Sequence, residues 1–296
     1  MHPSDSKPTI IILAAMHLRP HISALFCMAA RRLAAAASEL YTVKIVAFVS
    51  DEPSLIVCQC YGVDVIHTCV GPLGKKMNLG FTELLQNYTF DYILRMGDDD
   101  IVSDTLLHVY QPYIQAGHHY FGLNQLYFLD SATHKAVQFQ YPYQQAQKLV
   151  GCGTMISRHA LERTGYRCLI LSTSQQAFLG VNLTPGQTYL LPSYQASYLV
   201  DMNFATLLSG PFFQMYPDHQ MKSMDYILEM AFLFNGFDAK VVHTDTPLIT
   251  DVKSKTNIWK FNQWNWCSMP VDPEQAMSFW SEEEKQHYHT HILLHN

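Results

Sequence analysis

Apolar, β-branched runs alternate with helical patterns through the first hundred residues, and this rhythm restricts the possible folds more than any other feature of the chain. The runs are Thr9 to Met16, Val43 to Val49, Val63 to His67 and Phe90 to Met96; the helical patterns cover Ser23 to Leu40, Ser54 to Tyr61 and about Lys76 to Gln86. Strands spaced by helices form a mostly parallel sheet with right-handed crossovers, because parallel neighbours need a long connection and strand twist favours one hand. The expected class is therefore α/β, a central mostly parallel sheet flanked by helices.

The second half is less regular. Strands are expected at His119 to Asn124, Val137 to Tyr141 and Ala239 to His243, with helices between Ser157 and Gly165 and from about Met224 to Asn235. Asp272-Pro273 starts one further helix, and a Ser281/Glu284 capping box starts another. Residues Cys168 to Met221 carry only Asp201 and Asp218 as formal charges and show no clear period, so this irregular C-terminal region takes no assignment. With 296 residues the chain can hold one large α/β domain, read here as residues 1–125 and 126–296, two halves of a single unit.

Charged residues make up only 15% of the chain, which excludes long disordered or solvating segments. A net charge of −6 advertises neither a nucleic-acid coat nor an anionic membrane partner. The seven cysteines have no zinc or disulfide-framework spacing, and reduced thiols in a cytoplasmic protein are the expectation. Thr9 to Met16 follows Lys7 as a signal peptide's apolar core would, but its Ile10-Ile11-Ile12 centre and the His17, Arg19 and Pro20 after it indicate a strand. No stretch reaches membrane-spanning length, so stable membrane insertion is not expected.

Chemistry concentrates in Arg95-Met96-Gly97-Asp98-Asp99-Asp100-Ile101, where three carboxylates follow a strand-like segment. Anions this close repel one another, and hard cations such as Mg2+ or Mn2+ use such oxygens to hold a metal that also grips phosphates. Ligands of open α/β sheets sit beyond the carboxyl ends of the strands, which is where this cluster falls. A solvated acidic turn is the competing explanation.

Gly71-Pro72-Leu73-Gly74-Lys75-Lys76-Met77-Asn78 comes next in weight, since two lysines at a helix start oppose the helix dipole. A diphosphate would offset that cost, with Lys76 as a point charge and Asn78 as a donor to sugar or base. Asp51, after the second strand, would share the sheet edge and accept from a ribose or base, or simply cap the following helix.

In this order the segments resemble nucleotide-sugar-dependent glycosyltransferases of the GT-A fold: a first strand and its loop, an acid after the second strand, the Gly-Lys-Lys-x-Asn-x-Gly helix start of residues 74–80 and the DxD-like Gly97-Asp98-Asp99-Asp100. Gly151-Cys152-Gly153 with Ser157-Arg158 continues the likeness, which covers roughly residues 8 to 245. Gly97 to Ile101 and Asp251-Val252-Lys253 also resemble bacteriophage-type members. The resemblance implies a GT-A-like, Rossmann-like sheet with an acceptor-side C-terminal region. It also implies a metal, Mn2+ or Mg2+, held by Asp98, Asp99 and Asp100 against the diphosphate of a donor, usually a uridine one. Which two of the three aspartates act stays open.

By the same resemblance Asp225, in the first turn of the Met224 to Asn235 helix, would be the base that takes the acceptor proton, with Asp218 as competitor; complementing the helix dipole also explains it. His243 would be a further metal ligand, although a lone histidine is more often a packed one. The acceptor would be a saccharide or, for a phage-encoded enzyme in host cytoplasm, a hydroxymethylated DNA base. Lys253, Lys255 and Lys260 with Trp259, Phe261, Trp264 and Trp266 are chemically suited to the latter, and equally to packing a C-terminal flap. Two rival readings remain, a nucleotidyltransferase and a non-catalytic nucleotide-sugar-binding module.

Overall fold

The computed structural model describes residues 7–68, 70–71, 73–141, 148–165, 169–171, 178–179, 188–191, 196–199, 205–207, 228–229, 232–233, 235–255, 257, 261 and 267–293. Its opening third runs β1 (Thr9–Met16), α1 (Pro20–Ala36), β2 (Thr42–Val49), α2 (Glu52–Tyr61), β3 (Asp64–His67), α3 (Leu73–Asn87) and β4 (Tyr92–Gly97). Then come β5 (Asp100–Val102), α4 (Leu106–Gln115), β6 (Tyr120–Leu123), β7 (Gln125–Asp130), β8 (Lys135–Gln140), β9 (Thr154–Ser157) and α5 (Arg158–Gly165). Five short strands follow, β10 (Leu169–Leu171), β11 (Phe178–Leu179), β12 (Thr188–Leu191), β13 (Ala196–Leu199) and β14 (Ala205–Leu207). The chain continues with β15 (Lys240–Val242), β16 (Ile249–Lys253), β17 (Ser268–Val271), α6 (Pro273–Ala276) and α7 (Glu282–His287), which passes into a π-helical turn, Tyr288–Ile292.

The fold is mixed α/β around a seven-stranded sheet ordered β15-β6-β9-β4-β1-β2-β3, in which β9 alone runs antiparallel to its neighbours. Ile10, Ile12 and Ala14 pack toward α1 and α2, whereas Ile11 and Leu13 pack toward α3 and α5. Period-two alternation with both faces apolar is what a parallel strand covered by helices requires. A five-stranded sheet, β17-β8-β7-β16-β5, stands beside it. There β16 pairs antiparallel with β5 and parallel with β7, so residues 249–253 lie between segments more than a hundred positions upstream.

Local chemistry sets the helix boundaries nearest the sheet edge. Pro20 opens α1. The Asp51 carboxylate accepts from the Ser54 amide at 2.9 Å and caps α2, which Gly62 closes in the left-handed region at φ 65. Helix α3 begins three residues earlier than the apolar period suggests, and the expected Ser281/Glu284 capping box is present at α7. Among the described residues no helix is long and apolar enough to cross a membrane.

Candidate metal centre

The β1–β2 and β1–β4 registers bring Met16, Val49 and Gly97 to one edge of the central sheet. The segment Met16 to Arg19, leaving β1 at that edge, connects the groups singled out in the sequence. The Lys76 ammonium donates to the Met16 carbonyl at 2.6 Å, and the Leu18 amide donates to Asp51 at 3.2 Å. Arg19 pairs with Asp98 and, at 3.0 Å, with Asp99.

Two residues of the acidic run are buried and Asp99 between them is partly so. Asp98 and Asp100 are 1% and 2% exposed. Gly97 makes the tight packing possible, since a Cβ there would collide with an Asp99 oxygen. The Gly97 amide donates back to Asp100 Oδ2. Opposite Asp100 in the β5–β16 pair sits Asp251, and the Val252 amide donates to the Asp99 carbonyl at 2.8 Å. Asp99, Asp100 and Asp251 thereby offer one oxygen each within 4.8 Å of one another.

Each of these three has one oxygen committed to the protein. Asp99 Oδ2 accepts from Arg19 and from the Asn257 amide, Asp100 Oδ2 from Gly97, and Asp251 Oδ2 from the Lys253 ammonium at 2.5 Å. Asp251 Oδ1 is buried without a hydrogen-bond partner. Asn257 Oδ1 accepts from the Ser254 amide at 2.9 Å, from the Ser254 hydroxyl at 2.7 Å and from Arg19 at 3.3 Å.

Four carboxylates thus share two cations, Arg19 and Lys253. Burial, then the charges of Asp251 and Asp99, drive the Asp100 pKa well above the carboxylate range. Asp251 is pushed up to about 6 by burial, with Lys253 opposing the rise. Burial also acts to raise Asp99, but Arg19 and Lys253 outweigh it and hold that group below its ordinary value. An excess of carboxylate oxygens over cations, one of them buried and orphaned, fits a hard divalent cation, which takes carboxylate oxygens at roughly 2.0–2.6 Å.

Asp98 has neither oxygen to spare, since Arg19 takes one and the Ser23 hydroxyl donates to the other at 2.8 Å. Lys75 and Lys76 part company, the first exposed and the second 4% exposed; Asn78 is buried too. Asp51 is occupied by its own neighbourhood, the amides of Leu18 and Ser54 and the His17 ring. His243 follows the edge strand β15, is exposed, and stands outside the cluster of Asp99, Asp100 and Asp251. Asp218, Asp225, Trp259, Lys260, Trp264 and Trp266 lie outside the described residues; Phe261 packs partly buried against the core. Sequence reasoning missed Arg19 and Asn257 as site residues and noticed Asp251 only through a likeness. The available signal was the Asp251-Val252-Lys253 alternation, which puts opposite charges on one strand face.

No protein-family model and no curated protein matches the chain. Among solved structures it is similar to glucosyl-3-phosphoglycerate synthase from Mycobacterium tuberculosis in complex with Mn2+, uridine-diphosphate-glucose and phosphoglyceric acid, at 11% identity and TM-score 0.36 over 53% of this chain and 59% of that one. It is also similar to S. aureus TarS 1-349 in complex with UDP-GlcNAc, at 10% identity and TM-score 0.45 over 84% of this chain and 60% of that one. The chain spans about three fifths of the length of these two structures.

Proposed function

We propose that the chain is a metal-dependent glycosyltransferase, moving a hexosyl group from a nucleotide-sugar donor, a uridine one, to an acceptor hydroxyl. The observation that carries this reading is the convergence of Asp99, Asp100 and Asp251 at the sheet edge, with Asp251 Oδ1 buried and unpartnered. These three would hold Mn2+ or Mg2+, and the ion when bound supplies charge neutralisation for a departing diphosphate. Lys76 brings a cation to the same rim, and Asn78 is buried in the same helix start. Asp51 fixes the backbone of the loop that carries Arg19, which supports a role in shaping the donor site. Asp225 is the proposed base for the acceptor proton.

The acceptor is proposed as a saccharide hydroxyl, with a hydroxymethylated DNA base as the alternative. Titration calorimetry of uridine diphosphate with and without Mn2+ tests the donor half: binding should require the metal and vanish in Asp99→Ala and Asp100→Ala. Metal-independent binding unchanged by both substitutions would sink the reading. Labelled donors offered to oligosaccharides, to hydroxymethyl-containing DNA and to water then identify the acceptor, and release of pyrophosphate instead of a nucleoside diphosphate would point to nucleotidyl transfer.

A further inference from the structure

Asp98 heads the acidic run, yet both of its oxygens are spent, one on Arg19 and the other on the Ser23 hydroxyl in the first turn of α1. The other guanidinium nitrogen of Arg19 reaches Asp99 Oδ2 at 3.0 Å. One arginine is therefore split between two carboxylates, only the second of which belongs to the set of converging oxygens. We propose that Asp98 is a positioning residue that acts on the metal centre through Arg19, holding one arm of the guanidinium so that Asp99 keeps an oxygen for the ion. The inference rests on the metal-centre reading above.

The reason lies in guanidinium geometry. Arginine presents a planar fork that matches a carboxylate with two parallel hydrogen bonds, and an arginine left with one carboxylate takes it in that way. Asp98 prevents this by occupying one arm, and Ser23 fixes Asp98 for the task. Neutralised at Asp98, the fork would close on both oxygens of Asp99 and compete with the metal for the second one. Asp98→Asn removes the charge that draws the arm away while keeping side-chain size. Its damage should depend on Arg19 being present.

A double-mutant cycle read by Mn2+ binding tests this without donor turnover. Calorimetry, or the electron paramagnetic resonance signal of free Mn2+, gives the affinity, and thermal melts confirm folding. With Arg19 intact, Asp98→Asn should weaken Mn2+ binding by about tenfold, the size typical of losing a group that orients a metal ligand. Added to Arg19→Met, the same substitution should change the affinity less than about twofold. Equal loss in both backgrounds would mean that Asp98 contacts the metal itself, and would overturn this inference alone. If Arg19→Met does not fold, the double variant decides against the wild type, because the buried Asp98 left without its cation is then neutral. Binding within about threefold of wild type supports the positioning role, and a tenfold loss refutes it. Absence of Mn2+ binding in the wild type would overturn the metal-centre reading and this inference with it.

Discussion

Arg19 and Lys253 neutralise the same carboxylate cluster but are held in opposite ways. Arg19 sits on the segment between β1 and α1, and its partners are redundant: Asp98 also has Ser23, and Asp99 also has Asn257. Lys253 sits within β16, where its own carbonyl accepts from the Ser131 amide and hydroxyl and its ammonium lies 4.9 Å over the Phe128 ring. Asp251 has Lys253 as its cation and an orphaned second oxygen. A shared cation on a loop can shift its allegiance, whereas one built into a strand is fixed. The contrast separates an adjustable side of the site from a rigid one.

The largest expected effect follows from the rigid side. Lys253→Met strands a buried carboxylate, and breaking such a pair costs about 3–5 kcal/mol. Arg19→Met should cost less, because each of its aspartates keeps a second donor. Denaturant unfolding of both variants checks the order, and a greater loss at Arg19 would erase the distinction.

A smaller effect concerns pH. The folded pKa of Asp251 is raised to about 6, so the folded chain holds this proton more tightly than the unfolded one. The stability it contributes is complete below the ordinary aspartate value and is lost as pH rises through about 6. In chelator-treated protein the wild type should therefore lose on the order of 2 kcal/mol relative to Asp251→Asn between about pH 4 and pH 6.5. A difference between the two that stays flat over this window would remove the electrostatic account of the rigid side.

The smallest expected effect on metal binding belongs to Asn257, which ties the segment after β16 to Asp99. Asn257→Ala removes the side-chain hydrogen bonds to Asp99, Ser254 and Arg19, each worth about 0.5–1.5 kcal/mol net, and should weaken Mn2+ binding less than Asp251→Asn does. Calorimetry of the two variants side by side sharpens the comparison, and a reversed order would place the adjustable side at the centre of metal binding.

What could be read from residues alone tracks how local the interactions are. Thr9–Met16 as a strand and the acidic run at the end of β4 follow from patterns a few residues long. The β7–β16 pairing joins Tyr127 to Thr250, and no local period encodes a partner that distant. Lys75 and Lys76 are adjacent and chemically identical, yet only packing decides that one meets solvent and the other the end of β1. Arg19 looked like no more than the polar end of an apolar run. Its importance appears once the sheet register sets the end of β1 beside the end of β4.

Because β16 supplies both Asp251 and Lys253 to acids about 150 positions earlier, the site is assembled from two distant stretches of chain. Chains fold as they leave the ribosome, N-terminal parts first. A nascent polypeptide displays Asp98 to Asp100 and Arg19 long before residue 251 has been translated. The three converging carboxylates can therefore meet only after β16 has been made, and a chain cut short before residue 251 carries the acidic run without its third oxygen.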